Sequence, residues 1–273
     1  MCETCGCGDP EVVPVDVQES LLAANDRTAR HNREHFAAER LLAINLMGSP
    51  GSGKTALLEA TASRLEGRLR LAALSGDLAT DRDARRLGKA GIPSLSITTG
   101  SGCHLDADLV HQALHDLPWR QSDLLFIENV GNLVCPAVYD LGQTASVVAL
   151  AVTEGEDKPL KYPTMFRKAD LVLLTKVDLL PHLPGVDVAA IEDALARTMP
   201  EPRMIAMSAA SGEGVDEWIQ WLEERRAEVA AAGRLAARHE HGHGHGHGHG
   251  HEHGDGHRHG HAEAGSARPG GRP

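Results

Sequence analysis

Residues 48–55 read GSPGSGKT and follow directly on the apolar run LLAINLM, residues 41–47. The spacing matches G-x-x-x-x-G-K-[ST], and a strand running into a glycine-rich turn that opens a helix is the setting in which this spacing makes a phosphate-binding loop. Glycines let backbone N–H groups close around phosphate oxygens, Lys54 supplies positive charge to the terminal phosphates, and the Thr55 hydroxyl is a magnesium ligand. Gly48, Gly51, Ser52, Gly53, Lys54 and Thr55 are therefore the expected cradle, with Lys54 and Thr55 also serving the chemistry.

Outward from that loop the chain alternates short apolar runs with stretches of helical composition. The runs are 41–47, 68–74, 94–98, 123–128, 146–153, 170–175 and 203–208, and the helical stretches between and after them are 54–66, 80–90, 106–116, 187–198 and 214–230. Such alternation predicts an α/β fold, a mostly parallel sheet with helices on both faces, here in its P-loop NTPase form. The expected organisation is an N-terminal Cys-rich tail over 1–15, a leading helix over 16–40, the P-loop domain over 41–232, and a disordered His-rich tail over 233–273. The leading helix is polar overall, so it packs on the core or on a partner.

Composition removes several function classes. With 27 basic against 38 acidic residues the formal net charge is −11, which argues against a broad nucleic-acid surface. The N-terminus MCETCGCGDP has no basic segment followed by an apolar run, and no stretch reaches spanning length, so neither secretion nor a membrane is expected and the compartment is cytoplasmic. Three of the five cysteines fall within the first seven residues, too close for a disulfide framework; in a reducing compartment they read as metal ligands.

Two carboxylates complete a magnesium site. Asp77, in LSGDLATD, and Glu128, closing DLLFIE, both stand where the expected strands end, the edge at which ligands collect in such sheets. A helix N-cap is the other reading of Asp77. Glu128 opens ENVG, where many P-loop GTPases have Asp-x-x-Gly, and Gly131 is placed to meet the terminal phosphate through its backbone N–H. The base is set by TKVD, residues 175–178, which resembles Asn-Lys-x-Asp. Asp178 accepts from the guanine ring N–H and exocyclic amine, a donor pair adenine lacks, and the Lys176 stem covers the base. Thr175 replaces the usual Asn, which puts one loop-bracing contact in question. SAASGEG, 208–214, resembles the loop that offers a backbone N–H to the guanine oxygen, with Ser208 and Ala209 leading it. GTP is thus expected over ATP. Asn132 follows Gly131 where Ras-like enzymes carry a water-positioning Gln, so slow intrinsic turnover is expected.

Three further groups read as metal-binding. TGSGCHLDA, 99–107, sets Cys103 beside His104 in a glycine-flanked loop, and Cys135 lies a few residues beyond Glu128 in NVGNLVC; both loops leave the same sheet edge. A reduced pair filling a loop core is the alternative. CETCGC offers Cys2, Cys5 and Cys7; three thiolates and an amine suit square-planar nickel, whereas zinc prefers a tetrahedral arrangement. The C-terminal HEHGHGHGHGHGHEHG alternates His with Gly, and His241, His243, His245, His247, His249, His251 and His253 make an accessory tract suited to nickel, copper or zinc.

Taken together, NLMGSPGSGKT, GDLATDRDARR, TGSGCHLDA, ENVGNLVCPAVYDLG, TKVD and the leading CETCGC resemble the HypB family, GTPases that deliver nickel during [NiFe]-hydrogenase maturation. The resemblance spans roughly residues 1–230. It implies GTP-dependent dimerisation, a zinc or nickel site at the dimer interface from Cys103, His104 and Cys135, and a tight nickel site at Cys2, Cys5 and Cys7. The implied partners are the nickel chaperone HypA and, through it, the hydrogenase large subunit. The urease accessory GTPase UreG usually carries Cys-Pro-His, but here CPA, 135–137, lacks that His. A urease-directed nickel GTPase and a nickel storage protein are the alternatives.

Overall fold

The computed structural model describes residues 15–77, 81–100 and 102–240. Cys2, Cys5, Cys7 and the histidines from His241 onward lie outside the described residues. The elements run α1 Val15–Ala38, β1 Leu42–Met47, α2 Lys54–Leu65, β2 Leu71–Asp77, α3 Arg82–Lys89, β3 Ser94–Thr98, α4 Ala107–Ala113 and β4 Leu124–Glu128. They continue with β5 Ala145–Ala151, α5 Lys158–Lys161, α6 Pro163–Arg167, β6 Leu171–Thr175, α7 Val188–Ala196, β7 Met204–Ala206 and α8 Val215–Glu240. One seven-stranded sheet has the order β3-β2-β4-β1-β5-β6-β7, and every pairing in it is parallel.

Strands buried on both faces need no polar alternation, which is why β1, β4, β5 and β6 read as unbroken apolar runs and are buried along their whole length. Leu42, Ile44 and Leu46 face a layer built from α2 and α8, with Leu57, Leu58, Trp218 and Trp221 in its core. On the opposite face Ala43, Leu125 and Ile127 pack with Phe36 of α1 and Val110 of α4, while Met165, Phe166, Ile191 and Leu195 cover β5 and β6. The sheet is a rigid plate whose strand ends carry the loops of interest.

Among the element bounds that differ from expectation, two stand out. β2 runs to Asp77 rather than ending at 74, because Ser75, Gly76 and Asp77 pair with Ser96, Ile97 and Thr98 of β3. α8 extends to Glu240, so 233–240 are helical rather than part of a disordered tail, and Gly233 sits within the helix beside the Arg40 side chain. The leading helix packs on the core: Asn25 and Asn32 are buried and hydrogen-bonded to the main chain of α4 and of the turn at 140–141.

Candidate functional site

At the C-terminal ends of β1, β2 and β4 lies a cavity of about 480 Å³, bounded by Gly51, Gly53, Lys54, Thr55, Asp77, Glu128, Gly131 and Lys176 among others. The loop between β1 and α2 forms its floor. Gly48, Gly51 and Gly53 all have positive φ, and a Cβ on Gly48 would stand 2.4 Å from the Ala149 carbonyl oxygen, so only glycine fits there. Lys54 Nζ donates to the carbonyls of Gly48 and Ser49 at 3.0 and 3.1 Å, curling the loop around its own cation. Burial pulls that ammonium below its ordinary value, opposed by the charges of Glu128 and Glu154. Ser52 Oγ is buried with no hydrogen-bond partner among the described residues, an orphan that a phosphate oxygen would satisfy.

The acidic wall is organised around Glu128. Its Oε1 accepts from Thr55 Oγ1 at 2.7 Å and its Oε2 from Ser75 Oγ at 3.4 Å. Burial pushes the carboxyl above its usual range, against the Thr55 hydrogen bond and the Lys54 charge. A hydroxyl, a buried carboxylate and the nearby Asp77 are hard oxygen donors, a set that fits magnesium beside a phosphate. Asp77 ends β2 and lines the cavity rather than capping α3, whose N-cap is Asp81.

The loops TKVD and SAASGEG, expected to read the base, meet beside this cavity. Ser208 Oγ donates to Asp178 Oδ1 at 2.5 Å and accepts from the N–H groups of Ala210 and Ser211, which fixes 208–211 against TKVD. Lys176 lines the cavity with φ 61°, a left-handed conformation that costs about 1–2 kcal/mol outside glycine and that a fixed loop must hold. Thr175 Oγ1 donates to the Ser52 carbonyl at 2.6 Å, so threonine makes a bracing contact from this loop to the phosphate loop. Ala209 is exposed next to Ser208.

The metal-binding candidates also converge. Ligand atoms of Cys103, His104 and Cys135 all lie within 4.8 Å of one another. The two sulfurs are 2.7 Å apart and Cys103 Sγ is 3.7 Å from His104 Nδ1. His104 stacks on Tyr139 at 3.9 Å between ring centroids. Burial holds its imidazole below the ordinary value, which keeps it neutral and able to ligate at neutral pH. Burial, with the hydrogen bond and charge of Cys103, pushes the Cys135 thiol up to about 11. Two thiols in such proximity cannot both ionise unless a cation joins them, and tetrahedral zinc with bonds of about 2.3 Å would set their sulfurs about 3.8 Å apart.

Three contacts tie this cluster to the phosphate cavity. Asn129, buried next to Glu128, accepts the Leu105 N–H at 3.2 Å and its own neighbour Val130 N–H at 3.0 Å, and donates to Asn45 Oδ1 at 3.2 Å. Gly48 of the phosphate loop bridges to Asn132 of the Cys135 loop. A Cβ on Gly131 would stand 2.9 Å from Pro50, so the two loops are in contact at that point.

Comparison with known proteins follows this geometry. Residues 42–205 match the family model described as CobW/HypB/UreG, nucleotide-binding domain. The chain is 50% identical over 212 residues to the hydrogenase maturation factor HypB of Escherichia coli strain K12, covering 78% of this chain and 73% of that protein. The chain belongs to the HypB family. A crystal structure of the HypB from Archaeoglobus fulgidus superposes with a TM-score of 0.70 at 40% identity, covering 75% of this chain and all of that one. A HypB structure from Helicobacter pylori in complex with nickel gives 0.70 at 39% identity, covering 75% and 96%. The parallel sheet and phosphate loop described above are the HypB fold.

Several residues of the site were given no role from the sequence. Asp83 and Arg86 of α3, both within the quoted GDLATDRDARR, line the phosphate cavity, where Arg86 pairs with Glu59 at 2.6 Å and with Asp83 at 3.6 Å. Glu154 accepts from Ser49 Oγ at 2.5 Å and from Ala151 N at 2.9 Å, anchoring the phosphate loop from the turn that follows β5. Asn129 and Tyr139 support the loops that carry Cys103, His104 and Cys135; both lie within the quoted ENVGNLVCPAVYDLG, where nothing in the sequence marked them out.

Proposed function

We propose that this chain is a GTP-hydrolysing nickel metallochaperone acting in [NiFe]-hydrogenase maturation, in which the nucleotide state controls a metal site formed by Cys103, His104 and Cys135. The reading rests on one observation above others. Both ligand loops are tied to the phosphate cavity, one through Asn129 to Leu105 and the other through the Gly48–Asn132 bridge. Names of relatives support the biological setting, since the E. coli protein is a hydrogenase maturation factor and the H. pylori structure holds nickel.

Guanine specificity is assigned to Asp178 and Lys176, with Ser208 and Ala209 presenting the second loop. Lys54 draws charge from the terminal phosphates, and the N–H groups of Gly51, Ser52 and Gly53 hold the β-phosphate side. Thr55, Asp77 and Glu128 would hold magnesium, which when bound neutralises charge developing on the transferred phosphoryl group. Hydrolysis gives GDP and phosphate. Its slowness follows from the absence of a water-positioning glutamine at Asn132.

Exposed Val134 and Val138 flank Cys135 and give that loop an apolar skirt, a feature that supports homodimerisation across the metal site when GTP is bound. Nickel is cargo here. Cys2, Cys5 and Cys7 are assigned a tight nickel site and His241–His253 a reserve. HypA and the hydrogenase large subunit are the implied recipients or donors, in the cytoplasm. No helix among the described residues is long and apolar enough to cross a membrane.

The test is nickel and zinc titration of the full chain, with GDP and with a non-hydrolysable GTP analogue, alongside sedimentation. A metal affinity that changes with nucleotide, together with a dimer specific to the GTP form, supports the proposal. Affinity and oligomeric state that ignore the nucleotide overturn it.

A further inference from the structure

On the face of the molecule where α1 crosses α4, four histidines from two sequence-distant segments come together. His31 and His35 are one turn apart on α1; His111 lies on α4 and His115 one turn further on. Ligand nitrogens of His31, His35 and His111 are all within 4.8 Å of one another. His31 Nε2 and His35 Nε2 are 3.0 Å apart, and the ring of His115 lies 5.3 Å from that of His111. The four line one cavity of about 350 Å³ with Trp119 and Arg120 at its rim. None of these side chains contributes to the nucleotide cavity or to the Cys103 cluster.

The tautomer of His111 can be worked out from its neighbours. Asn32 is buried, and its amide nitrogen donates to the carbonyls of Ala107 at 3.0 Å and Leu141 at 3.2 Å. Both amide hydrogens are thereby used, so Asn32 Oδ1, 2.9 Å from His111 Nδ1, can only accept. His111 therefore carries its proton on Nδ1 and presents an unprotonated Nε2. A ligand imidazole whose far N–H is held by a fixed acceptor is the arrangement found around protein-bound metals. Burial, and after it the charge of the neighbouring His31, hold the His35 and His111 imidazoles below their ordinary value. The one cation at the rim, Arg120, is engaged by Glu39 at 3.6 Å and lies over the Trp119 ring.

We propose that His31, His35 and His111 form a second metal site, binding a borderline divalent transition ion such as zinc or nickel and clipping α1 to α4. An all-imidazole set selects such ions over magnesium and calcium, which take oxygen. Tetrahedral zinc with bonds of about 2.0–2.1 Å needs its nitrogens about 3.3 Å apart. The His31–His35 pair is already near that spacing, and the ligand nitrogen of His111 lies within 4.8 Å of both. His115 or water completes the shell. In HNREH, 31–35, the i, i+4 spacing puts two imidazoles on one face of α1, while in HQALH, 111–115, His111 lies on α4 and His115 in the turn that follows it.

The test is hydrogen exchange of the full chain, read by mass spectrometry, at free zinc set by a metal buffer so that the His-rich tail cannot deplete it. In the wild type, amides of α1 and α4 whose opening breaks the site should exchange about 100-fold more slowly when free zinc is 100 times the dissociation constant. His31→Gln combined with His35→Gln should abolish that slowing, whereas Cys103→Ser combined with Cys135→Ser should leave it intact. Zinc should also shield His31, His35 and His111 of the wild type from carbethoxylation, a readout needing no variant. The proposal falls if zinc neither slows exchange nor shields these residues, if the histidine variant keeps the slowing, or if the cysteine variant loses it.

Discussion

Replacing Asn129 by alanine isolates the link between the phosphate cavity and the loops proposed to bind metal. Asn129 is 1% exposed and makes three hydrogen bonds, accepting from Leu105 N and Val130 N and donating to Asn45 Oδ1. At about 1 kcal/mol net for each bond, with the buried Leu105 N–H left without an acceptor, the change should cost about 2–4 kcal/mol. For a domain of this size that lowers the midpoint of thermal unfolding by about 5–15 °C. The protein should stay folded at 25 °C, because native domains hold about 5–15 kcal/mol in reserve.

The functional effect is separate from the loss of stability. Without Asn129 the Leu105 end of the Cys103–His104 loop loses its tie to the strand end that carries Glu128. The ratio of zinc affinities with the GTP analogue and with GDP, about 5–150-fold for a typical coupled pair of sites, should collapse toward one. Asn45→Ala is the matched control, since it strands the Asn129 amide and destabilises similarly but leaves the Leu105 contact in place; its affinity ratio should survive. The assay is metal titration by competition with a chromophoric chelator, on variants shown to be folded by circular dichroism. An Asn129→Ala protein that is folded and keeps the wild-type ratio would refute the assignment of this side chain as the link.

Three other outcomes are expected. Asp178→Asn should cost about 100-fold or more in GTP affinity and improve xanthine nucleotide binding, because the carboxylate that accepts two guanine donors becomes an amide able to donate; equal GTP affinity in a filter-binding assay would remove Asp178 from the base site. Gly131→Ala would put a Cβ 2.9 Å from the rigid Pro50 ring, costing about 1–3 kcal/mol and speeding GDP release by displacing the phosphate loop; stopped-flow release at the wild-type rate would contradict that contact. At the opposite sheet edge Asp123 is partly buried, which raises its pKa, but hydrogen bonds from Arg70 and the charges of Arg70 and Arg226 outweigh burial and hold the carboxyl below its ordinary 3.8. The unfolded chain binds that proton more readily, so its contribution is in place above 3.8 and is lost as pH falls through the lower folded value; Asp123→Asn should flatten the acid limb of a urea-midpoint profile, and an unchanged limb would count against the pair.

What the sequence made legible follows from which forces act locally. Phosphate loops depend on glycines and one lysine within eight residues, so GSPGSGKT could be read without a structure. Strands covered on both faces leave continuous apolar runs, which made β1, β4, β5 and β6 plain, and the shorter runs of the other strands were also found. The last three residues of β2 were not, because Ser75, Gly76 and Asp77 are held by pairing with β3 rather than by their own hydrophobicity. Buried asparagines were the larger loss. Asn25, Asn32, Asn45 and Asn129 look like surface residues in a linear reading, and each is explained only by backbone or amide groups distant in sequence. The same blindness hid HNREH and HQALH, whose shared spacing becomes chemistry only once α1 lies across α4.

These asparagines change the role of the leading helix. Asn25 accepts the Ala107 N–H at 2.9 Å and donates to the Asp140 carbonyl at 2.8 Å, while Asn32 holds the carbonyls of Ala107 and Leu141. Arg33 closes on the Asp140 carboxylate at 2.7 Å, and a Cβ on Gly142 would stand 2.5 Å from the Ala29 carbonyl oxygen. Ala107 opens the helix immediately after Cys103 and His104, and Asp140 to Gly142 close the loop that carries Cys135. One helix therefore braces the far ends of both ligand loops, while the phosphate cavity holds their near ends through Asn129 and Asn132. A nucleotide-driven shift in either loop must be transmitted to α1 or resisted by it, and a cation bound at His31, His35 and His111 would stiffen that brace. If GTP reshapes the Cys103 site as proposed, occupancy of the histidine cluster should alter how strongly it does so, even though the two proposed metal positions share no ligand.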